Sequence, residues 1–267
     1  MLRTAEAATT LASLGLTTVA LLVLAAFLAG WVDAVVGGGG LVQLPALLLV
    51  PGMDPVQALA TNKLAGAMGT GTSAATYYRR VHPSLRTALP TAAVAALGAA
   101  GGALCAAAVP AGVLTPVILV ALVLVAAYTL LKPDLGSVTA LRFSGHRHTV
   151  VAALTGGVIG FYDGIAGPGT GAFLVFALVG LLGYAFLAAS ATAKIVNLAT
   201  NLGALAVFTA HGSVLWGLGL VMGSANLLGG WLGARTAVSA GSRFVRTVFL
   251  LVVAVLVVRL GRQVLHG

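Results

Sequence analysis

Two stretches of this chain, GWVDAVVGGGGLVQLPALL at Gly30 to Leu48 and GFYDGIAGPGTGAFL at Gly160 to Leu174, are versions of one pattern. In each, an apolar run carries a single Asp and then a glycine cluster. Asp33 precedes Gly37, Gly38, Gly39 and Gly40; Asp163 precedes Gly167, Gly169 and Gly171. A lysine follows each: Lys63 stands 30 residues beyond Asp33, and Lys194 stands 31 beyond Asp163. Short matches extend the repeat, ATNK at Ala60 to Lys63 against ATAK at Ala191 to Lys194, and VPAG at Val109 to Gly112 against VSAG at Val238 to Gly241. A duplicated unit that keeps ionisable residues inside apolar segments points to a site built between two halves.

The composition sets the class. Hydrophobic residues make up 60% of the 267 and charged residues 7%, whereas soluble domains carry about 25% charged residues. The apolar runs do not alternate as barrel strands would, so helices are the spanning element. We therefore expect an all-α, polytopic transmembrane bundle of two homologous halves, with about 8–10 membrane segments and glycine-broken helices. The segments are expected near Leu14 to Val36, Gly40 to Val50, Pro55 to Tyr78, Thr87 to Val109 and Val113 to Leu131. The second set lies near Val150 to Ala166, Thr170 to Phe186, Ala188 to Ala210, Val214 to Ala234 and Phe244 to Val258. The domains are then a first transmembrane repeat over 1–131, a basic linker loop over 132–149 and a second repeat over 150–267. Arg3 ahead of the first apolar run resembles a signal peptide, but cleavage would remove a piece that the repeat uses twice.

Orientation is balanced by charge. If all five segments of each half cross, the halves are inverted; if the segments starting at Gly40 and Thr170 re-enter, the halves are parallel. Either topology places 9 of the 12 loop Lys and Arg residues on one side and 3 on the other. The first segment is short and contains Pro45, while the second reads as long enough to span. We take inversion as the expectation, since it suits alternating access.

The net charge of +9 sits in short loops, without any nucleic-acid reading module, so lipid at an inner leaflet explains it and nucleic acid does not. Cys105 is the single cysteine and can form no internal disulfide. No metal site is expected: His146 and His148 lie in the linker with no acidic or cysteine partners, as exposed loop residues. No hydrolase motif or cofactor-binding motif occurs, so the chain is read as non-enzymatic, without catalytic residues or cofactors.

The lysines carry the functional argument. Lys63 lies eight residues past Pro55, about 12 Å along a helix and so near mid-bilayer. An ammonium there costs about 2.5–3.5 kcal/mol, so it needs a polar cavity, a carboxylate or an anion. Participation in an anion site competes with a structural Lys–Asp pair that only fixes packing. Asp33 and Asp163 can exchange protons or cap the broken helix ends. The glycine clusters can unwind and offer amides to an oxyanion, although small-residue packing explains many of the glycines and Pro168 removes one donor. Asn62 beside Lys63, and Lys194, Asn197 and Asn201 on one helix face, add a polar stripe. Gln43 and Asn226 are weaker candidates.

Together with QALATNKLAGAMGTGTSAATYYRR at Gln57 to Arg80 and TAKIVNLATNLGALAVF at Thr192 to Phe208, these motifs resemble the TauE/SafE sulfite exporter family, most closely its YfcA-like branch. The similarity runs from about Leu21 to Leu260. It implies a multi-pass transporter of the bacterial inner membrane that exports sulfite, sulfonates or related small sulfur anions. The binding residues it implies are Gly37, Gly38, Gly39, Gly40, Asn62, Lys63, Gly167, Gly169, Lys194, Asn197 and Asn201. The expected partners are a small anion, protons and the lipid bilayer; a homo-oligomer is compatible with the sequence. A passive anion channel, or a membrane scaffold whose charges only pair with one another, is the rival reading.

Overall fold

The computed structural model describes residues 14–108 and 136–266. Among the described residues there are eight α-helices and no strand: α1 Leu16–Val36, α2 Gly40–Leu48, α3 Pro55–Val81, α4 Leu85–Cys105, α5 Gly145–Ile165, α6 Thr170–Gly180, α7 Phe186–Ala210 and α8 Trp216–His266. α8 is two helices joined at Gly241, whose φ of 75° and ψ of −174° break the ladder inside the VSAG motif. Four of these helices, α1, α4, α7 and the Trp216–Val255 part of α8, are long and apolar enough to cross a bilayer. Leu16, Leu97, Leu154, Val158 and Leu251 are exposed on the outside, while Lys63, Lys194, Gln43 and Asn197 are buried within. This inside-out distribution suits a hydrocarbon surround. The expected segment from Val113 to Leu131 lies outside the described residues, as does the VPAG motif.

Local chemistry explains the helix ends that matter. α1 stops because Gly37 turns left-handed at φ 84° and returns its N–H to the Asp33 carbonyl at 2.7 Å; only glycine takes that conformation without strain. α5 stops differently: Ala166 leaves the helix at φ −128° with its N–H on the Tyr162 carbonyl, and the left-handed glycine, Gly167 at φ 84°, comes one residue later. Asp54 caps the start of α3: its carboxylate accepts from the Val56 and Gln57 amides at 2.9 and 3.2 Å, and Pro55 is the first helical residue.

The segment from Thr170 is shorter than its sequence suggests. α6 has 11 residues, about 16 Å, which is half of a 30 Å core. Its apolar run continues past Gly180, but Gly183 takes φ 85° and the backbone there pairs with Ala140 and Arg142. α2, with 9 residues, is shorter still. The linker is also more ordered than expected: α5 begins at Gly145, and His148 is buried with Nε2 2.9 Å from the Tyr184 hydroxyl.

The halves interlock. α4 of the first half packs chiefly against α5 and α7 of the second, and α8 of the second packs chiefly against α1 and α3 of the first. Glycine makes these crossings possible, because backbone meets backbone. A Cβ on Gly160 would stand 2.2 Å from the Ala95 carbonyl oxygen, and one on Gly164 2.1 Å from that of Ala99. The counterpart crossing sets Gly229 on Phe27 and Gly233 on Trp31. In both crossings the residue numbers rise together, so the paired helices are parallel. By contrast, Gly66 of α3 lies against Asn201 of α7 and Gly71 against Leu198, so α3 and α7 run antiparallel.

Candidate functional site

Every intramembrane charge of the repeat pairs with one from the opposite half. Lys63 Nζ lies 2.6 Å from Asp163 Oδ1, and Lys194 Nζ lies 2.8 Å from Asp33 Oδ2. Three of the four side chains are almost dry, at 0–2% exposure, and Asp33 retains 14%. Of the partners that the sequence left open for the lysines, the structure shows the carboxylates. Each has a carboxylate at contact distance, and the four charges sum to zero.

The carboxylates are held differently. Asp33 Oδ2 also accepts from the Thr70 hydroxyl at 3.4 Å, and its Oδ1 accepts from the Gly39 amide at 3.4 Å, which caps the break after α1. Asp163 Oδ1 accepts from the Thr170 hydroxyl at 2.7 Å, and its Oδ2 is buried with no hydrogen-bond partner among the described residues. Thr70 lies seven residues beyond Lys63 on α3, about 10 Å along the axis. The two ion pairs thus occupy different levels, one beside Lys63 and one beside Thr70.

A cavity of about 30 Å³ reaches both levels, room for about two water molecules or a compact ion. Of the residues singled out from the sequence, Asp33, Gly37, Gly39, Gly40, Asn62, Lys63, Asp163, Gly167, Asn197 and Asn201 line it. Lys194, Gly38 and Gly169 do not. Gly38 faces Val252 and Gly169 faces Leu41 and Phe173. Not all glycine amides remain available: those of Gly37 and Gly39 are spent on Asp33. The two breaks also brace each other, as the Ala172 N–H donates to the Gly37 carbonyl at 3.0 Å and Gly171 packs on Gly37.

Sequence reasoning passed over Gly66, Thr70 and Thr170, named Gly171 in its cluster without counting it as a binding residue, and ranked Gln43 and Asn226 low, although all six line the cavity. A signal existed in the repeat. Thr70 follows Lys63 by seven residues as Asn201 follows Lys194, and Thr170 follows Asp163 by seven. Asn226 Nδ2 donates to Gln43 Oε1 at 2.6 Å, both residues being buried.

A multi-pass helical bundle with paired charges and a small polar cavity at its centre has the anatomy of a membrane transporter. The comparisons agree: the chain belongs to the sulfite exporter TauE/SafE family, whose model matches residues 22–260. It is 41% identical over 241 residues to a probable membrane transporter protein, ORF9, of Sinorhizobium sp, covering 90% of this chain and 91% of that one. It is 36% identical over 247 residues to the probable membrane transporter YfcA of Escherichia coli K12, covering 90% of each. A probable membrane transporter protein of Haemophilus influenzae is 36% identical over 234 residues, covering 87% of this chain and 90% of that one. No solved structure matches.

Proposed function

We propose that this transporter exports small oxyanions, of the sulfite and sulfonate kind, across the bacterial inner membrane by proton-coupled alternating access. The observation that carries the reading is the reciprocal pairing of Lys63 with Asp163 and Lys194 with Asp33 around one polar cavity. An anion entering an electrically balanced site must displace a carboxylate from its ammonium. A proton on that carboxylate removes its attraction for the lysine and leaves the ammonium to the anion, so one proton moves with one negative charge. Because the pairs lie at different levels, parting one while the other stays closed opens the cavity to one side at a time.

Although α2 and α6 are each too short to cross the core by themselves, the opposed directions of α3 and α7 support an inverted arrangement of the halves. The moving bodies are not the sequence halves, since α4 and α8 are exchanged. One body is α1, α2, α3 and α8; the other is α4 to α7. The cavity volume favours an ion of few atoms, such as sulfite, over long organic sulfonates.

The test is coupled flux in proteoliposomes with an entrapped pH dye. A sulfite gradient should drive a pH change that saturates with sulfite. Conductive flux without saturation would indicate the channel instead, and no flux of any small oxyanion would leave the ion pairs as scaffold.

A further inference from the structure

Two buried polar atoms without partners belong to residues that line the cavity, and their chemistry is complementary to a particular ligand. Gln43 and Asp163 are 1% and 2% exposed and both line it. Gln43 Nε2 and Asp163 Oδ2 have no hydrogen-bond partner among the described residues. The contact between Asn226 and Gln43 uses only one amide NH2 group, so a second remains as a donor whichever side chain gives the bond. The carboxylate oxygen can only accept while Asp163 is ionised. Buried donors and acceptors left unsatisfied are costly, and their presence in one cavity is a fingerprint of what completes them.

We propose that Gln43 and Asp163 form a subsite that takes an oxyanion still carrying one acidic hydroxyl. An oxygen of the ligand accepts from Gln43 Nε2, and its hydroxyl donates to Asp163 Oδ2. The inference rests on the transport reading above and narrows its sulfite and sulfonate range: the preferred species is a monoanionic hydrogen oxyanion, ahead of a dianion or an alkylated anion such as a sulfonate. Charge balance argues the same way: Lys63, Lys194, Asp33 and Asp163 sum to zero, so a monoanion disturbs the site least. The coupling proton then arrives on the ligand and is shared with Asp163 through the hydrogen bond, so the carboxylate loosens its hold on Lys63 without having to be protonated beforehand. A group of similar size with methyl in place of hydroxyl leaves Oδ2 unpaired, and sites built to bond a hydroxyl reject such analogues strongly.

The experiment compares hydrogen sulfite with methanesulfinate, in which methyl replaces the hydroxyl, by calorimetric titration of the purified full-length protein at a pH where sulfite is mostly monoprotonated. Hydrogen sulfite should bind at least about tenfold more tightly. Gln43→Met should weaken both ligands by about tenfold while preserving their ratio, since both present the oxygen it reads. Equal affinity of the wild type for the two anions, or undiminished affinities in Gln43→Met, overturns the subsite and leaves the transport reading standing. Binding of neither anion by folded wild type overturns both.

Discussion

Lys194 reaches 161 residues back along the chain to place its ammonium 2.8 Å from Asp33, while Lys63 makes the matching contact forward to Asp163. Neither half satisfies its own lysine. The charges that each half inserts into the membrane are therefore neutralised only in the assembled molecule, and three of the four, Asp33, Lys63 and Asp163, line the cavity where an anion would sit. Assembly and function share one set of atoms.

Lys63→Met leaves the Asp163 carboxylate buried without its counter-ion and should lower stability by about 3–5 kcal/mol. Lys63→Met combined with Asp163→Leu should recover most of that loss, because an apolar pair of similar volume costs little. Lys194→Met should cost less than Lys63→Met, since Asp33 is partly exposed and keeps contacts from Thr70 and Gly39. Thermal unfolding in detergent measures all of these variants; equal stability of Lys63→Met and wild type would count against a dry pair.

Gly37→Ala should be among the most damaging single-methyl additions. The new Cβ would lie 2.0 Å from the Gly171 carbonyl carbon, at a φ of 84°, and the expected loss is about 3–5 kcal/mol from strain and overpacking together. Gly145→Ala meets nothing within 4 Å at φ 55° and should cost only about 1 kcal/mol. Yield and melting temperature of the two variants compare them directly; similar behaviour would mean that the two helix breaks do not touch.

The exchanged fourth helices predict how a divided chain behaves. Fragments 1–131 and 132–267 should be protease-resistant only when co-expressed, because α4 and α8 each bury their glycine faces on the other fragment. Recovery of either fragment alone as a resistant, monodisperse species would show that the halves fold separately.

Much of this arrangement is legible in the sequence. The Asp, glycine and Lys order fixes both helix breaks, and Gly241 falls in the repeated VSAG. The C-terminal limit of α6 is not legible, since the run after Gly180 stays apolar and the turn depends on backbone pairing with Ala140 and Arg142. Nor is the choice of partner for each lysine. Helical spacing tells which face of α7 is polar, but whether Lys194 meets Asp33, Asp163 or a ligand depends on how the halves cross. Gln43 and Asn226 gain their importance in the same way, from a contact across 183 residues. His148, set among linker residues, is buried where Tyr184 folds against it.

The most direct test of ion pairs as the moving, anion-handling parts is counterflow of labelled sulfite in proteoliposomes by wild type and by the Lys63→Met, Asp163→Leu double variant. We expect saturable exchange by the wild type and a rate at least about 100-fold lower in the double variant, an effect of about 2.7 kcal/mol on the barrier, despite its retained fold. Undiminished exchange by the folded double variant would contradict the account.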